Sequence, residues 1–275
     1  MKSVITCAGK GTRLLPFTKE LPKEMAPVFL NGINSIELKP LLQLIFENLH
    51  NVGIRDFCFV TGKTKRSIQD HFHPGPAESP PKQLSRFFSM LEKSTLLWTD
   101  QSSPNGFGDA VLPSKSFVHN DSFILHAGDV AFLPNFLKPL EDIKKLENSD
   151  IDAAFFVREV TDPERHGIIT SSEITDDFFK VDKIVEKPEF PESKLGVFPI
   201  YYFKNSIFDA LENTSPGYGN EIQLTDAIQK LISLGKKVVA KIITSDYVLD
   251  VGTPESYYSA INLSHNFAVK DLNLK

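Results

Sequence analysis

The chain of 275 residues carries 30 Lys and Arg against 35 Asp and Glu, a formal net charge of -5, with 41% hydrophobic and 24% charged residues. Such a length and composition provide a sizeable core without disulfides or a structural metal. The acidic balance excludes a broad nucleic-acid-binding face, yet a few local cations and backbone amides suffice to hold one nucleotide. The 22 Phe against a single Trp read as core filling.

Residues 3–8 read as a short buried strand rich in β-branched side chains, followed at once by a glycine-containing loop. Residues 39–51 read as a helix with Leu41, Leu42, Ile45, Phe46 and Leu49 on one face and Gly53 as its stop signal. A second buried strand is expected over 57–61, a short helix over 65–72, a Pro- and Gly-rich surface loop over 73–81, and a helix over 82–96. Further along come a helix at 109–117, a central strand at 123–126 ending in Ala127-Gly128-Asp129, and strands at 153–159, 167–170, 181–185 and 197–203. Helices at 206–212 and 221–234 and a late strand at 237–244 complete the pattern. The alternation points to βαβ units and an α/β protein with a mostly parallel sheet.

Only Cys7 and Cys58 occur, each inside an apolar strand-like run. That fits reduced, buried thiols in a cytoplasmic protein better than a disulfide scaffold, although a Cys7–Cys58 bridge stays open if the two strands are neighbours. The N-terminal apolar stretch is broken by Gly9, Lys10 and Arg13, too early for a signal peptide or membrane span. The expectation is a soluble cytoplasmic protein with no membrane partner. His71 and His73 invite a zinc reading, but no third ligand stands at a sensible spacing, and a surface position at a helix end is expected for them.

Ala8-Gly9-Lys10-Gly11-Thr12-Arg13 follows the first strand directly. Glycines there let backbone N–H groups approach phosphate oxygens, and Lys and Arg supply countercharge. The loop lacks the spacing of a Walker A motif. It also lacks the third glycine of the dinucleotide fingerprint, where Leu14 stands, which disfavours a dinucleotide-dependent oxidoreductase. By itself the loop is as readily a tight turn as a phosphate cradle.

The longer pattern is more specific. Gly9 to Pro16, then Thr18-Lys19 and Pro22-Lys23-Glu24-Met25, resembles the signature of bacterial-type UTP–glucose-1-phosphate uridylyltransferases, within the sugar nucleotidyltransferase family. The resemblance implies a Rossmann-like, mostly parallel mixed sheet with helices on both faces and an inserted sugar-binding subregion. One domain over 1–275 is expected, with a nucleotide-binding part over about 1–150 and a sugar-phosphate-binding part over about 151–260. It further implies that Ala8 and Gly9 face the base and sugar of the nucleotide, that Gly11, Thr12 and Arg13 wrap the triphosphate, and that Lys23 reaches the phosphates. Taken alone, Lys23 would read as a solvated lysine.

Gln101 and the run Asn105 to Ala110 look like the family's base-reading segment, with the Gln side chain and the backbone at Gly106 meeting the pyrimidine edge. An amide suits that task because it offers a donor and an acceptor together. Asp129, at the carboxyl end of a strand, and Asp250, in Asp250-Val251-Gly252-Thr253, are similar to the family's two magnesium-binding carboxylates, a number that suits a hard cation sharing phosphate ligands. Taken alone, each Asp reads more readily as a turn former beside glycine. Glu186-Lys187-Pro188 resembles the sugar-phosphate clamp, and Gly167, after His166 where the family commonly has Tyr, would lie close to the sugar. The run Gly219 to Asp226 reads as a capped helix start shaping the sugar pocket. Leu38-Lys39-Pro40, preceded by a longer loop over 29–37, departs from the family's Asp-Lys-Pro.

The chemistry implied by the resemblance is magnesium-dependent attack of a glucose 1-phosphate oxygen on the α-phosphorus of UTP, with Arg13, Lys23 and Lys187 countering charge, in a homo-oligomer (dimer or tetramer). Two rivals share the fold: a dTTP-using thymidylyltransferase and a regulatory subunit that binds without turnover.

Overall fold

The structure, a computed structural model, describes residues 1–32, 35–63, 65–73 and 81–273. Its first half contains β1 (Lys2–Cys7), the hairpin β2 (Pro27–Asn31) and β3 (Ile36–Pro40), α1 (Leu41–Asn51), β4 (Asp56–Thr61), α2 (Arg66–Phe72), α3 (Lys82–Glu92), β5 (Thr95–Asp100), α4 (Lys115–Val118), β6 (Phe123–Ala127), β7 (Val130–Phe132) and α5 (Lys138–Lys144). The second half adds β8 (Ala153–Glu159), β9 (Gly167–Thr170), β10 (Phe179–Lys180), β11 (Lys183–Glu186), β12 (Leu195–Phe203), α6 (Ser206–Glu212), α7 (Leu224–Ser233), β13 (Val238–Ile242), β14 (Val248–Asp250) and α8 (Pro254–Asn273).

A ten-stranded sheet runs in the order β10-β13-β8-β12-β6-β1-β4-β5, with β9 and β11 attached beside β12. From β6 to β5 every pairing is parallel, whereas β12 is antiparallel to both β6 and β8. Alternation along each strand divides the core between the two faces. Ile5, Phe57, Phe59 and Phe156 pack on one face beneath α1, α2, α3, α5 and α8, while Val4, Val60, Phe123 and Phe155 pack on the other against α6 and α7. Phe46 of α1 sits at the centre of a ring cluster, 4.8 Å from Phe57, 5.5 Å from Phe72 and 5.8 Å from Phe87 between ring centroids. The Rossmann-like α/β expectation with helices on both faces is borne out.

Several local expectations need correction. The helix expected over 82–96 ends at Glu92, and Thr95–Asp100 is instead a strand, β5, paired with β4. Its alternation is masked because β5 is an edge strand with Leu97 exposed on its outer side. The expected helix at 109–117 is a turn, a 3-10 turn over Leu112–Ser114 and the short α4. The loop expected over 29–37 is in its described residues mostly strand: β2 and β3 pair as a hairpin, which α8 covers through Phe29 N–H donating to Ser264 Oγ at 3.2 Å and Tyr257 Oη donating to the Pro27 carbonyl at 3.0 Å. The loop expected over 73–81 lies almost wholly outside the described residues.

Cys7 and Cys58 are free and buried. Their strands are neighbours, but the parallel register sets Cys58 beside Val4, and alternation sends Cys7 to one face and Cys58 to the other. Burial pushes both thiols up, Cys58 to about 12. His71 is half-buried, with Nε2 2.9 Å from Gln43 Oε1 and its ring stacked 5.3 Å from Phe87, so it serves the core rather than the surface.

Phe46→Ala is expected to cost about 3–5 kcal/mol in chemical denaturation, whereas Phe190→Ala, at an 82% exposed position, changes stability by no more than about 0.5 kcal/mol. His126, fully buried in β6, is held down to about 4 by desolvation, against the opposing effects of its contact with the Ala127 carbonyl and of Asp129. The unfolded chain therefore binds the extra proton first as pH falls below about 6.5, and the folded state loses stability from there down to about 4. Denaturation at pH 7 and pH 5 should differ by about 2 kcal/mol through this group, and His126→Gln should remove that component.

Candidate active site

Strand β1 ends at Cys7, and the chain turns at once at the carboxyl edge of the parallel half-sheet, where open α/β folds bind ligands. Gly11 takes φ +66, a left-handed conformation that suits glycine, and its carbonyl accepts the Leu14 N–H at 2.9 Å and the Thr18 hydroxyl at 2.7 Å. A Cβ there would come within 3.1 Å of Thr18. Gly11 and Thr12 thus form the turn, and Ala8, Gly9 and Arg13 form a wall of a cleft of about 520 Å³. Lys23, Gln101, Gly106 and Asp129 line the same cleft. A smaller adjoining space of about 240 Å³ shares Ala8, Gly9, Lys23 and Gln101 and extends to Lys65.

Several charged and polar side chains at this cleft are already paired. Lys23 Nζ lies 2.5 Å from Asp129 Oδ2, and although burial opposes its charge, Asp129 keeps its ammonium above the usual lysine range. Asp129 and Asp250 are far apart in sequence, yet β7 and β14 pair antiparallel with Asp250 opposite Val130, and the Val251 N–H donates to the Asp129 carbonyl at 2.8 Å. Asp250 Oδ1 accepts the Gly252 N–H at 2.8 Å, and Oδ2 lies 3.5 Å from Arg158 Nη2. Arg13 belongs to this corner as well: a Cβ on Gly252 would stand 3.0 Å from Asp250 Oδ1 and 3.7 Å from Arg13 Nη2.

Gln101 is buried, and its Nε2 donates to the Gly106 carbonyl at 3.2 Å and to Asp109 Oδ2 at 2.7 Å. Gly106 has φ +119, and a Cβ there would fall 2.5 Å from the Ile222 carbonyl oxygen, so only glycine fits. The close approach has a purpose in the fold. Ile222 N–H donates to the Asn105 carbonyl at 2.7 Å and Gly108 N–H to the Ile222 carbonyl at 2.9 Å, tying the 105–108 segment to the chain just before α7.

A second group gathers around β11. Glu186 Oε2 accepts the Thr225 hydroxyl at 2.9 Å, and its Oε1 lies 3.5 Å from Lys187 Nζ. Gly167 sits opposite Glu186 in the β9–β11 register, where a Cβ would meet Thr225 Cγ2 at 2.7 Å. His166 accepts the Lys187 N–H on its carbonyl at 3.0 Å, while its Nε2 lies 3.2 Å from Asp162 Oδ1. The run Gly219 to Asp226 is not a capped helix start: α7 begins at Leu224 behind Gln223, which makes no side-chain cap, and a 3-10 turn over Tyr218–Asn220 precedes it. Glu221, between the two, lines the large cleft.

Four residues of this site are not marked as partners by the sequence. Arg158 is a lone arginine near the end of β8 with no motif around it, and only the β7–β14 pairing brings Asp250 to it. Tyr218 sits over Lys187, with the ammonium 4.7 Å from its ring centroid. Glu24 is buried, and both of its oxygens accept from Lys65 Nζ at 2.8 Å, which pins the Lys23–Met25 turn beneath the cleft. Burial raises the Glu24 carboxyl above its ordinary range, and Lys65 opposes that rise. Glu24 is visible in the sequence as part of a motif. A glutamate buried there requires a cationic partner, but nothing local to Lys65 marks it as that partner.

Lys65→Met, which strands Glu24 without a partner, is expected to cost about 3–5 kcal/mol, and the double variant Glu24→Gln with Lys65→Met much less. Urea denaturation of the two variants separates these outcomes.

Comparison with known proteins points the same way. The sequence profile of the nucleotidyl transferase family matches residues 2–266. The UTP–glucose-1-phosphate uridylyltransferase of Pseudomonas aeruginosa is 33% identical over 276 aligned positions, covering 96% of this chain and 95% of its own. The enzyme of that name from Streptococcus pneumoniae is 37% identical over 246 positions, covering 84% and 79%. Among solved structures, a UDP-glucose pyrophosphorylase complexed with UDP-glucose superposes with a TM-score of 0.81 at 28% identity, covering 97% of this chain and 100% of that one. A UTP-bound UGPase from Acinetobacter baumannii gives 0.77 at 28% identity, covering 100% and 99%. With its fold, its cleft and these relatives in agreement, the chain belongs to the nucleotidyl transferase family, among the UTP–glucose-1-phosphate uridylyltransferases.

Proposed function

We propose that this protein joins UTP to glucose 1-phosphate, giving UDP-glucose and pyrophosphate. The observation that carries the reading is the pairing of β7 with β14, which sets Asp129 and Asp250 together beside the glycine turn and its cations. The relatives' names and the UDP-glucose and UTP held by the solved neighbours supply the substrate class.

In this reading the cleft at Ala8, Gly9, Gln101 and Gly106 takes the nucleotide, with Gly11, Thr12 and Arg13 about the triphosphate. The group at Gly167, Glu186 and Lys187 takes the sugar phosphate, so the nucleotide part and the sugar part divide one domain near residue 150. A sugar-phosphate oxygen attacks the α-phosphorus in line; one P–O bond forms as the bond to pyrophosphate breaks. That oxygen is anionic at neutral pH and needs no general base. The protein's task is to bring two polyanions together and to counter the charge that develops between them. Lys23, Arg13 and Lys187 serve it, Lys23 by exchanging Asp129 for phosphate.

Magnesium suits the remaining pair. Asp129 and Asp250 offer hard carboxylate oxygens, each already balanced by a cation, and among the described residues no cluster of three or more His, Cys, Asp or Glu competes for the role. One or two carboxylates plus substrate phosphates are the usual magnesium set. Bound there, the ion would neutralise charge on the phosphate oxygens.

Pyrophosphate release across a panel of nucleoside triphosphates and sugar 1-phosphates tests the reading, with UTP and glucose 1-phosphate expected to lead. Preference for dTTP would move the protein to the thymidylyl reaction, and no release with any pair would make it a binding subunit. Asp129→Asn and Asp250→Asn should each lower kcat by about a hundredfold or more with the far-ultraviolet circular dichroism unchanged. Near-normal turnover in both would remove the metal assignment.

A further inference from the structure

Lys187 is held at both ends. Its backbone takes φ +42, uncommon for a residue with a side chain, and is fastened by its N–H to the His166 carbonyl at 3.0 Å. Its ammonium lies 3.5 Å from Glu186 Oε1 on one side and 4.7 Å from the centroid of the Tyr218 ring on the other. Tyr218 itself is no core residue, being 55% exposed. The turn that carries it is built tightly. Gly217 N–H donates to the Glu221 carbonyl at 2.8 Å, Gly219 and Asn220 take φ +69 and +57, and the Tyr218 carbonyl accepts from Gln223 Nε2 at 2.9 Å.

We propose that Tyr218 is a positioning residue for the sugar phosphate, its ring holding the Lys187 ammonium away from a closed ion pair with Glu186 and open to an incoming anion. A carboxylate and an aromatic face both attract an ammonium, but only the carboxylate neutralises it. With Glu186 Oε2 committed to Thr225, a lysine free to swing would settle on Oε1 and spend its charge there. The ring offers a competing site that leaves the charge intact. Because the turn is tied through Ile222 to the 105–108 segment, the same contact relates the position of Lys187 to the cleft lined by Gly106.

The inference rests on the reading of Lys187 as a phosphate-binding residue, so the experiment carries a control for it. KM for glucose 1-phosphate and for UTP is measured separately in Tyr218→Phe, Tyr218→Leu, Tyr218→Ala and Lys187→Met. Loss of the ring in Tyr218→Leu and Tyr218→Ala should raise KM for glucose 1-phosphate about two- to thirtyfold and leave KM for UTP unchanged, while Tyr218→Phe stays within about twofold of the parent. An unchanged KM for glucose 1-phosphate in the Leu and Ala variants, or an equal rise for both substrates, overturns the proposal. So does Tyr218→Phe behaving like Tyr218→Ala, which would give the role to the hydroxyl. If Lys187→Met raises KM for glucose 1-phosphate and the ring variants do not, only the role of Tyr218 falls; if Lys187→Met is silent, the reading of Lys187 falls with it.

Discussion

A carboxylate taken out of water needs a cationic or hydrogen-bonding partner, and the half-buried Asp129 and Asp250 each have one. The site around Asp129 and Asp250 is arranged about that constraint. Backbone pairing of β7 with β14 fixes the two residues in place. Lys23 then comes from the Lys23–Met25 turn to balance Asp129, and Arg158 from β8 to balance Asp250. These carboxylates draw basic side chains from two distant stretches of chain.

Holding Lys23 in that position requires support from beneath. The Lys23–Met25 turn carries Glu24 on its inner side, where an unpaired carboxylate would be costly, and Lys65 supplies both hydrogen bonds. Above the cleft the connection runs through backbone. Asn105, Gly108 and Ile222 exchange main-chain bonds that join the 105–108 segment to the approach to α7, and Gly106 permits the close approach by having no Cβ. The cleft lining at Gly106 is thereby tied to the stretch that carries Tyr218 and Glu221.

The α/β pattern, most strands of the sheet and the helices α1, α2, α3, α6 and α7 were legible because apolar periodicity is a local property. Elements whose burial is decided elsewhere were not. The hairpin of β2 and β3 read as a longer loop because the cover that buries it, α8, comes from the far end of the chain. β5 lies at the sheet edge, where Leu96 and Trp98 pack inward but the apolar Leu97 on the exposed side hides the alternation. β7 and β14 are three residues each, too short to show any period, and they are the pair that builds the site.

The sequence by itself determined the glycine turn, the identity of the charged residues at Arg13, Lys23, Asp129, Glu186, Lys187 and Asp250, and through their motifs the family. Motifs carry chemistry because a residue type at a fixed spacing constrains the backbone near it. What only the tertiary structure decided is which charges face one another: Lys23 with Asp129, Arg158 with Asp250, Lys65 with Glu24, and Lys187 between Glu186 and Tyr218. Those pairings depend on strand register and on which faces are buried, and electrostatic attraction acts through space without regard to distance along the chain.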